Sequence, residues 1–193
     1  MGVMDDAEHV EPADIAEWSD WLARNHADAP GAWLVTPRSR TGRQTVDYES
    51  AVVEALRFGW VDSTTRTLDA ERGMMWFSPR RPTSGWAGSN KRRIERLRAE
   101  GRLEPAGEAA VRVAQENGSW NLLDDVERLV VPADLAAALD ALPGARAHWD
   151  RCSPSARRMA LTWIVQAKRP ETRARRVTAT AERSAAGEPL GPG

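Results

Sequence analysis

The chain has 193 residues, 41% of them hydrophobic and 28% charged, with a formal net charge of -1. That length suits one domain, or one domain with a helical appendage, and is enough to bury most of the apolar surface. The near-neutral balance gives no bulk attraction to nucleic acid, no apolar run is long enough to span a bilayer, and the single cysteine, Cys152, excludes an intrachain disulfide and fits a reducing compartment.

Residues 1–11 are acidic, lack the apolar core of an export signal and are expected to be a flexible N-terminus, which makes the cytoplasm the expected location. Ile15, Trp18 and Leu22 recur at helical spacing and predict an amphipathic helix over 12–26. Ala32 to Thr36 is a short apolar run followed by Pro37 and a turn-like stretch over 38–42, so it reads as one strand of a hairpin. Asp47 suits the cap of a helix whose Tyr48, Ala51, Val52, Ala55 and Leu56 share one face and which Gly59 terminates. Over 60–68, Trp60, Asp62, Thr64 and Arg66 alternate with Val61, Ser63, Thr65 and Thr67, which is a strand period. Met74 to Ser78 predicts a second strand, stopped at Pro79 and joined to the first by a turn over 69–73.

After Pro82 the pattern turns helical. Ser89 or Asn90 caps a basic helix carrying Ile94 and Leu97; Ala106, Ala109, Ala110, Val113 and Ala114 mark the next; Leu135, Leu139 and Leu142 mark another, broken at Pro143 and Gly144. Ser153 and Pro154 start the strongest one, with Ala156, Met159, Ala160, Trp163, Ile164 and Ala167 as its apolar stripe. Pro170 interrupts the run, and a basic helix resumes over 172–186. The expected fold is α+β: a small antiparallel sheet with packed helices over 12–87, a helical portion of the same domain over 88–186, and a disordered tail over 187–193.

Charge is unevenly placed. Residues 1–30 carry eight acids and one base, 78–102 carry eight bases and two acids, 105–152 four bases and eight acids, and 153–183 eight bases and two acids. Such blocks are either solvated helix faces pairing with one another or basic walls of a cleft that attracts an anionic ligand. Between Leu56 and Asn90 large rings are interleaved with guanidinium groups. Rings exclude water and offer flat faces, while arginine forks read carboxylate, phosphate and carbonyl groups, and a concave binding site needs both.

The candidate ligand-binding residues are therefore Trp33, Trp60, Asp62, Arg66, Met75, Trp76, Ser78, Arg80, Arg81, Trp86, Asn90 and Lys168. Trp76 and Trp86 are candidate stacking platforms, and Met74 with Met75 offers adaptable apolar surface. The face bearing Trp60, Asp62 and Arg66 reads equally as a pocket wall or as a solvated Asp62–Arg66 pair. Trp18, Trp120, Trp149 and Trp163 are assigned to packing. No catalytic motif, metal-ligand spacing or cofactor signature stands out, and no nucleic-acid-binding module is recognisable. If the protein is an enzyme, Asp62 is the acid or base, with Arg66 or Arg80 holding developing negative charge. Cys152 has no identifiable base in the sequence and reads as an inert thiol, with His148 in a helix junction and His9 in the loose terminus.

The run from Glu54 to Ser63, then Phe77 to Pro82 with Trp86 and Asn90, and finally Ser153 to Arg158 with Trp163, Ile164 and Ala167 to Arg173, resembles the YdeI/OmpD-associated family of bacteriocin-protection proteins over residues 18–185. The resemblance implies a bacterial protein of tolerance to antimicrobial peptides or toxic small molecules, without an established catalytic mechanism. Met74, Met75 and Trp76 before the Phe77 block, and Ala87 after Trp86, depart from the family pattern toward a more apolar, roomier site. The expected function is binding and self-protection, with a bulky hydrophobic or aromatic small molecule or an antimicrobial peptide sequestered in a Trp/Arg-lined cleft. The alternative is an enzyme of secondary metabolism acting on such a compound through Asp62.

Overall fold

A computed structural model of the chain describes residues 2, 4–38, 42 and 45–191. Its four strands are β1 (His9–Val10), β2 (Ala32–Pro37), β3 (Trp60–Thr67) and β4 (Arg72–Pro79), in the sheet order β1-β2-β4-β3. β4 pairs antiparallel with both β2 and β3, whereas β1 runs parallel to β2, so the sheet is mixed at one edge. The hairpin expected at Pro37 does not form: β2 pairs with β4, which lies beyond a helix and β3 in sequence. Part of the expected 38–42 turn lies outside the described residues. The N-terminus is also tied down, because His9 and Val10 pair with Trp33 and Leu34 and Glu11 meets Arg72 at 2.7 Å.

The alternation along β3 breaks. Asp62 pairs with Phe77 and Thr65 with Met75, so β3 carries one residue more than β4 across this stretch, a bulge. One extra residue inverts the facing of everything after it. Asp62 stays on the Phe77 face, while Arg66, opposite Met74, goes to the face of Trp76 and Trp33. The four-residue row of Trp60, Asp62, Thr64 and Arg66 on one face is therefore not what forms.

Four helices follow from capping and periodicity in the sheet-bearing part: α1 (Ile15–Asn25), α2 (Tyr48–Arg57), α3 (Gly88–Ala99) and α4 (Pro105–Glu116). Asp14 accepts from the Glu17 amide at 3.0 Å and Asp47 from the Ser50 amide at 2.9 Å, each satisfying an otherwise orphaned donor. Gly59 follows α2 with φ of 74°, the left-handed conformation that glycine adopts without strain.

The rest of the chain forms α5 (Asp124–Glu127), α6 (Ala133–Ala141), α7 (Ala145–Arg151), α8 (Pro154–Val165) and α9 (Pro170–Ala186). Pro170 is the first residue of α9 rather than a break before it, since a first-turn proline forfeits no helical hydrogen bond. α6, α7 and α8 pack on α9 around Leu135, Leu139, Trp149, Leu161, Ile164, Val177 and Ala181. The buried stripe of α8 is Ala160, Leu161 and Ile164; Met159, expected inside, is 49% exposed, and Trp163 is half-buried. Leu190 is buried in the same core, so the described part of the expected disordered tail docks.

Contacts divide the chain into two units. The first runs to Ser84 and continues over Ser89–Ser119; the second takes Gly85–Gly88 and everything from Trp120. The division thus falls after Ser119, and α4 belongs with the sheet. Among the described residues no helix is long and apolar enough to cross a membrane.

Candidate functional site

The rings expected to line a cleft are inside the molecule. Trp33, Trp60 and Trp76 in the first unit and Trp86 in the second are all buried. Trp33 and Trp76 face each other across β2 and β4 at 5.3 Å, edge to face, and Trp60 meets Trp21 at 5.7 Å in the same way. Each polar edge finds an acceptor: Trp33 Nε1 donates to the Met4 carbonyl at 2.8 Å and Trp60 Nε1 to the His26 carbonyl at 3.0 Å. Trp86 packs on Trp120 at 5.0 Å. A stacking platform must present a ring face to its guest, and none of these four does. Met75 is half-buried in β4, as is Ser78 near the strand's end.

Arg66 leaves the Asp62 face at the bulge. Its guanidinium lies 5.0 Å over the Trp33 ring and 3.7 Å from Asp5, closing that side of the sheet. The Asp62–Arg66 pair, the alternative to a pocket wall on that face, is therefore not formed. Arg81 is exposed in the loop after β4, and Lys168 is exposed in the second unit just before α9.

Asp62 gathers different neighbours. Tyr48, expected on the apolar face of α2, is 53% exposed and its hydroxyl donates to Asp62 Oδ2 at 3.1 Å. Burial, with the Asp62 charge beside it, pushes the phenol above its ordinary value, so the group stays a donor at neutral pH. Arg80 is largely desolvated, which pulls its guanidinium down to about 10 against the opposing attraction of Asp62. Asn90 enters through Arg93, whose Nη1 donates to Asn90 Oδ1 at 2.6 Å while Nε reaches both Glu49 oxygens at 3.0 and 3.1 Å. The Arg93 bond is the main reason the Glu49 carboxyl sits below its ordinary range.

Beside this cluster lies a solvent-open groove of about 380 Å³, lined by Glu49, Ser89, Arg92, Arg93 and Arg96. Three guanidinium groups meet one carboxylate there. Arg93 is held by that carboxylate, Arg96 lies 3.7 Å from it and 3.8 Å from Glu100, and exposed Arg92 has no ion pair among the described residues. The groove therefore has a surplus of positive charge with one fork pre-oriented and two able to turn toward a guest. Of the expected residues, Asp62, Arg80 and Asn90 converge on this region, while Trp33, Trp60, Arg66 and Trp76 do not. Tyr48, Glu49, Arg92, Arg93 and Arg96 were missed, although the basic block over 78–102 contained the three arginines. Among the described residues no group of three or more His, Cys, Asp or Glu side chains could hold a metal ion.

Comparison with known proteins resolves the two halves of the chain. Residues 128–187 match the family described as Bacteriocin-protection, YdeI or OmpD-Associated. Residues 10–110, more than half of the chain, match the family described as Domain of unknown function (DUF8412), and the chain belongs to that family. No curated protein and no solved structure was found to match. The bacteriocin-protection likeness is thus narrower than the 18–185 span expected: the block from Ser153 to Arg173 lies inside that match, and the blocks at 54–63 and 77–90 lie inside the other.

Proposed function

We propose that this protein protects its cell by binding an antimicrobial compound, and that the arginine groove of the first unit holds an oxyanion group of that guest. Protection is supported by the match of residues 128–187 to the bacteriocin-protection family. Binding is supported by one observation above all, the groove of about 380 Å³ in which Arg92, Arg93 and Arg96 face the single carboxylate of Glu49. A volume of that order accommodates a small ligand. Tyr48, next to Glu49 on α2 and 53% exposed, lies outside the groove's lining but offers an exposed ring that the buried tryptophans do not, and the guest we propose is an aromatic or hydrophobic compound bearing a carboxylate or phosphate. The cytoplasm is part of the same proposal, supported by the single unpaired thiol of Cys152, and cell fractionation tests it.

Isothermal titration with inorganic pyrophosphate as a minimal probe, then with acidic antimicrobial compounds, tests the groove. Arg92→Glu and Arg96→Glu should each weaken binding by about tenfold, the worth of one charge-assisted contact, while the circular dichroism spectrum stays unchanged. Equal affinity in the double variant would remove the groove from consideration. A second reading, turnover by acid–base chemistry, is favoured by the 3.1 Å hydrogen bond from Tyr48 to Asp62, a donor and a carboxylate already paired. Product detected by mass spectrometry and lost in Asp62→Asn would select it over sequestration.

A further inference from the structure

Four of the five residues lining the arginine groove come from one helix. Ser89, Arg92, Arg93 and Arg96 stand at i, i+3, i+4 and i+7 along α3 and so form a single stripe two turns long. Ile94 and Leu97 anchor a different face of α3 in the core, which leaves Ser89, Arg92 and Arg96 exposed and Arg93 half-buried. The fifth residue, Glu49, comes from the first turn of α2.

The charges of the lining do not cancel. Three guanidinium groups meet one carboxylate, a surplus of two positive charges. Glu100, 3.8 Å from Arg96, and Glu127, which accepts from the Gly88 amide at 2.6 Å, touch α3 without lining the groove. A carboxylate guest carries one negative charge and leaves half of that surplus unmatched. A phosphate monoester, close to dianionic at neutral pH, matches it.

Donor placement points to the same guest. Arg93 is committed to Glu49 and Asn90, which leaves Arg92 and Arg96 as the forks that can turn outward. These two lie one helical turn apart, with Cβ atoms separated by about 5–6 Å, and Ser89 lies one turn before Arg92. The two coplanar oxygens of a carboxylate suit a single guanidinium fork. A phosphate monoester has three terminal oxygens arranged tetrahedrally, so two forks can grip it from different sides while the Ser89 hydroxyl donates to the oxygen that remains.

We infer, on the reading of this groove as a binding site, that it selects a terminal phosphate monoester over a carboxylate or a phosphate diester, with Arg92 and Arg96 as the gripping forks and Ser89 as a further donor. A diester fails on both counts, since it has one charge and two free oxygens. The guest of the protective function is then a phosphorylated aromatic or hydrophobic compound.

Isothermal titration slightly above neutral pH with three probes that share one ring separates the head groups: phenyl phosphate, methyl phenyl phosphate and benzoate. Phenyl phosphate should bind at least about tenfold more tightly than either of the others, the effect of one additional charge-assisted contact. Arg92→Gln and Arg96→Gln should each remove most of that preference, and Ser89→Ala should weaken phenyl phosphate about threefold while leaving benzoate unchanged. A smaller preference in the native chain, with benzoate still bound, overturns the phosphate assignment and leaves the groove standing as a general anion site. A preference that survives in the double variant Arg92→Gln/Arg96→Gln, folded by circular dichroism, places the phosphate elsewhere and also overturns it. Binding of none of the three probes removes the groove as a site, and the assignment falls with it.

Discussion

The two units fill their interiors with different side chains. In the first, Trp18, Trp21, Trp33, Trp60 and Trp76 are all buried, with Trp18 stacked on Trp21 at 5.5 Å and Trp18 against Phe77 at 5.3 Å. In the second, leucine, isoleucine, valine and alanine from α6 to α9 surround Trp149, Trp163 lies half-buried beneath the Arg176 guanidinium at 5.3 Å, and buried Trp86 packs on Trp120 outside that aliphatic cluster. Helices packed on helices interdigitate through small and branched side chains, whereas a twisted, bulged sheet under two helices leaves wide, flat gaps that indoles fill. The tryptophans buried around the sheet are therefore packing features, and the neighbouring arginines have a separate cause: they tie elements together and line the groove.

The sharpest way to break that comparison is to truncate one ring in each unit. Trp76→Ala should cost about 3–5 kcal/mol in urea unfolding followed by circular dichroism, the usual range for emptying a buried aromatic site. The ring packs directly on the Gly31 backbone, where a Cβ would fall 2.1 Å from Trp76 Cζ2, so truncation empties a tightly filled site. Trp163→Ala should cost only about 1 kcal/mol, the order of one partly exposed cation–π contact and its covered surface. Equal costs would mean that the exposed-looking ring of α8 carries as much packing as the sheet interior, and the contrast between the units would fail.

Much of the fold was legible because its signals were local. Asp47, Ser153 and Gly59 act as the caps their residue types suggest, and the periodicities at 15–22 and 48–56 bury Trp18, Leu22, Val52, Ala55 and Leu56. What was hidden depends on distant pairing. The β3 bulge is invisible until β4 lies beside it, and it alone decides that Arg66 covers Trp33 while Asp62 faces Tyr48. The parallel β1 strand of two residues has no period to read. On α8, Ala160 and Ile164 of the expected stripe are buried, but Leu161 joins them while Met159 is exposed and Ala156 and Trp163 are half-buried, a small rotation of the face that only the packing of α9 decides. The candidate site was half visible: the arginines of α3 stood out as charge, but Tyr48 was read as core, and the four tryptophans were read as walls when burial makes them contents.

Glu54 gives a second, intermediate contrast. It is buried, pairs with both Arg57 and Arg102, and Arg57 reaches on to Glu104 at 3.0 Å and Ser19 at 3.2 Å, joining α1, α2 and the start of α4. Burial lowers the Arg57 guanidinium, and the Glu54 and Glu104 carboxylates more than reverse that. Removing the Glu54 charge leaves Arg57 partly desolvated beside one remaining acid, so Glu54→Gln should cost about 2 kcal/mol, less than a fully buried pair because Arg102 can return to water. In the second unit the pair of Asp134 with Arg173, at 2.7 Å, is 43% and 34% exposed, and Asp134→Asn should cost below about 1 kcal/mol. Similar losses from the two variants would show that the network around Glu54 is solvated and does not bind the helices together.

The smallest effect expected is the acid dependence of the groove itself. The Arg93 bond holds the Glu49 carboxyl below its ordinary value of 4.5, so the folded state binds this proton less readily than the unfolded chain does. A depressed carboxylate contributes stability that is fully present above 4.5 and disappears as pH falls through the lower folded value. Glu49→Gln lacks that term at every pH. Because Glu49 is half exposed, the difference between wild type and variant should be only about 0.2–1 kcal/mol near neutrality, shrinking toward nothing in acid below the folded value. Urea midpoints measured across this range give the two curves directly. Convergence in acid identifies the Arg93–Glu49 tie as the device that pre-orients the groove, whereas parallel curves would mean that Arg93 is positioned by Asn90 and the helix alone.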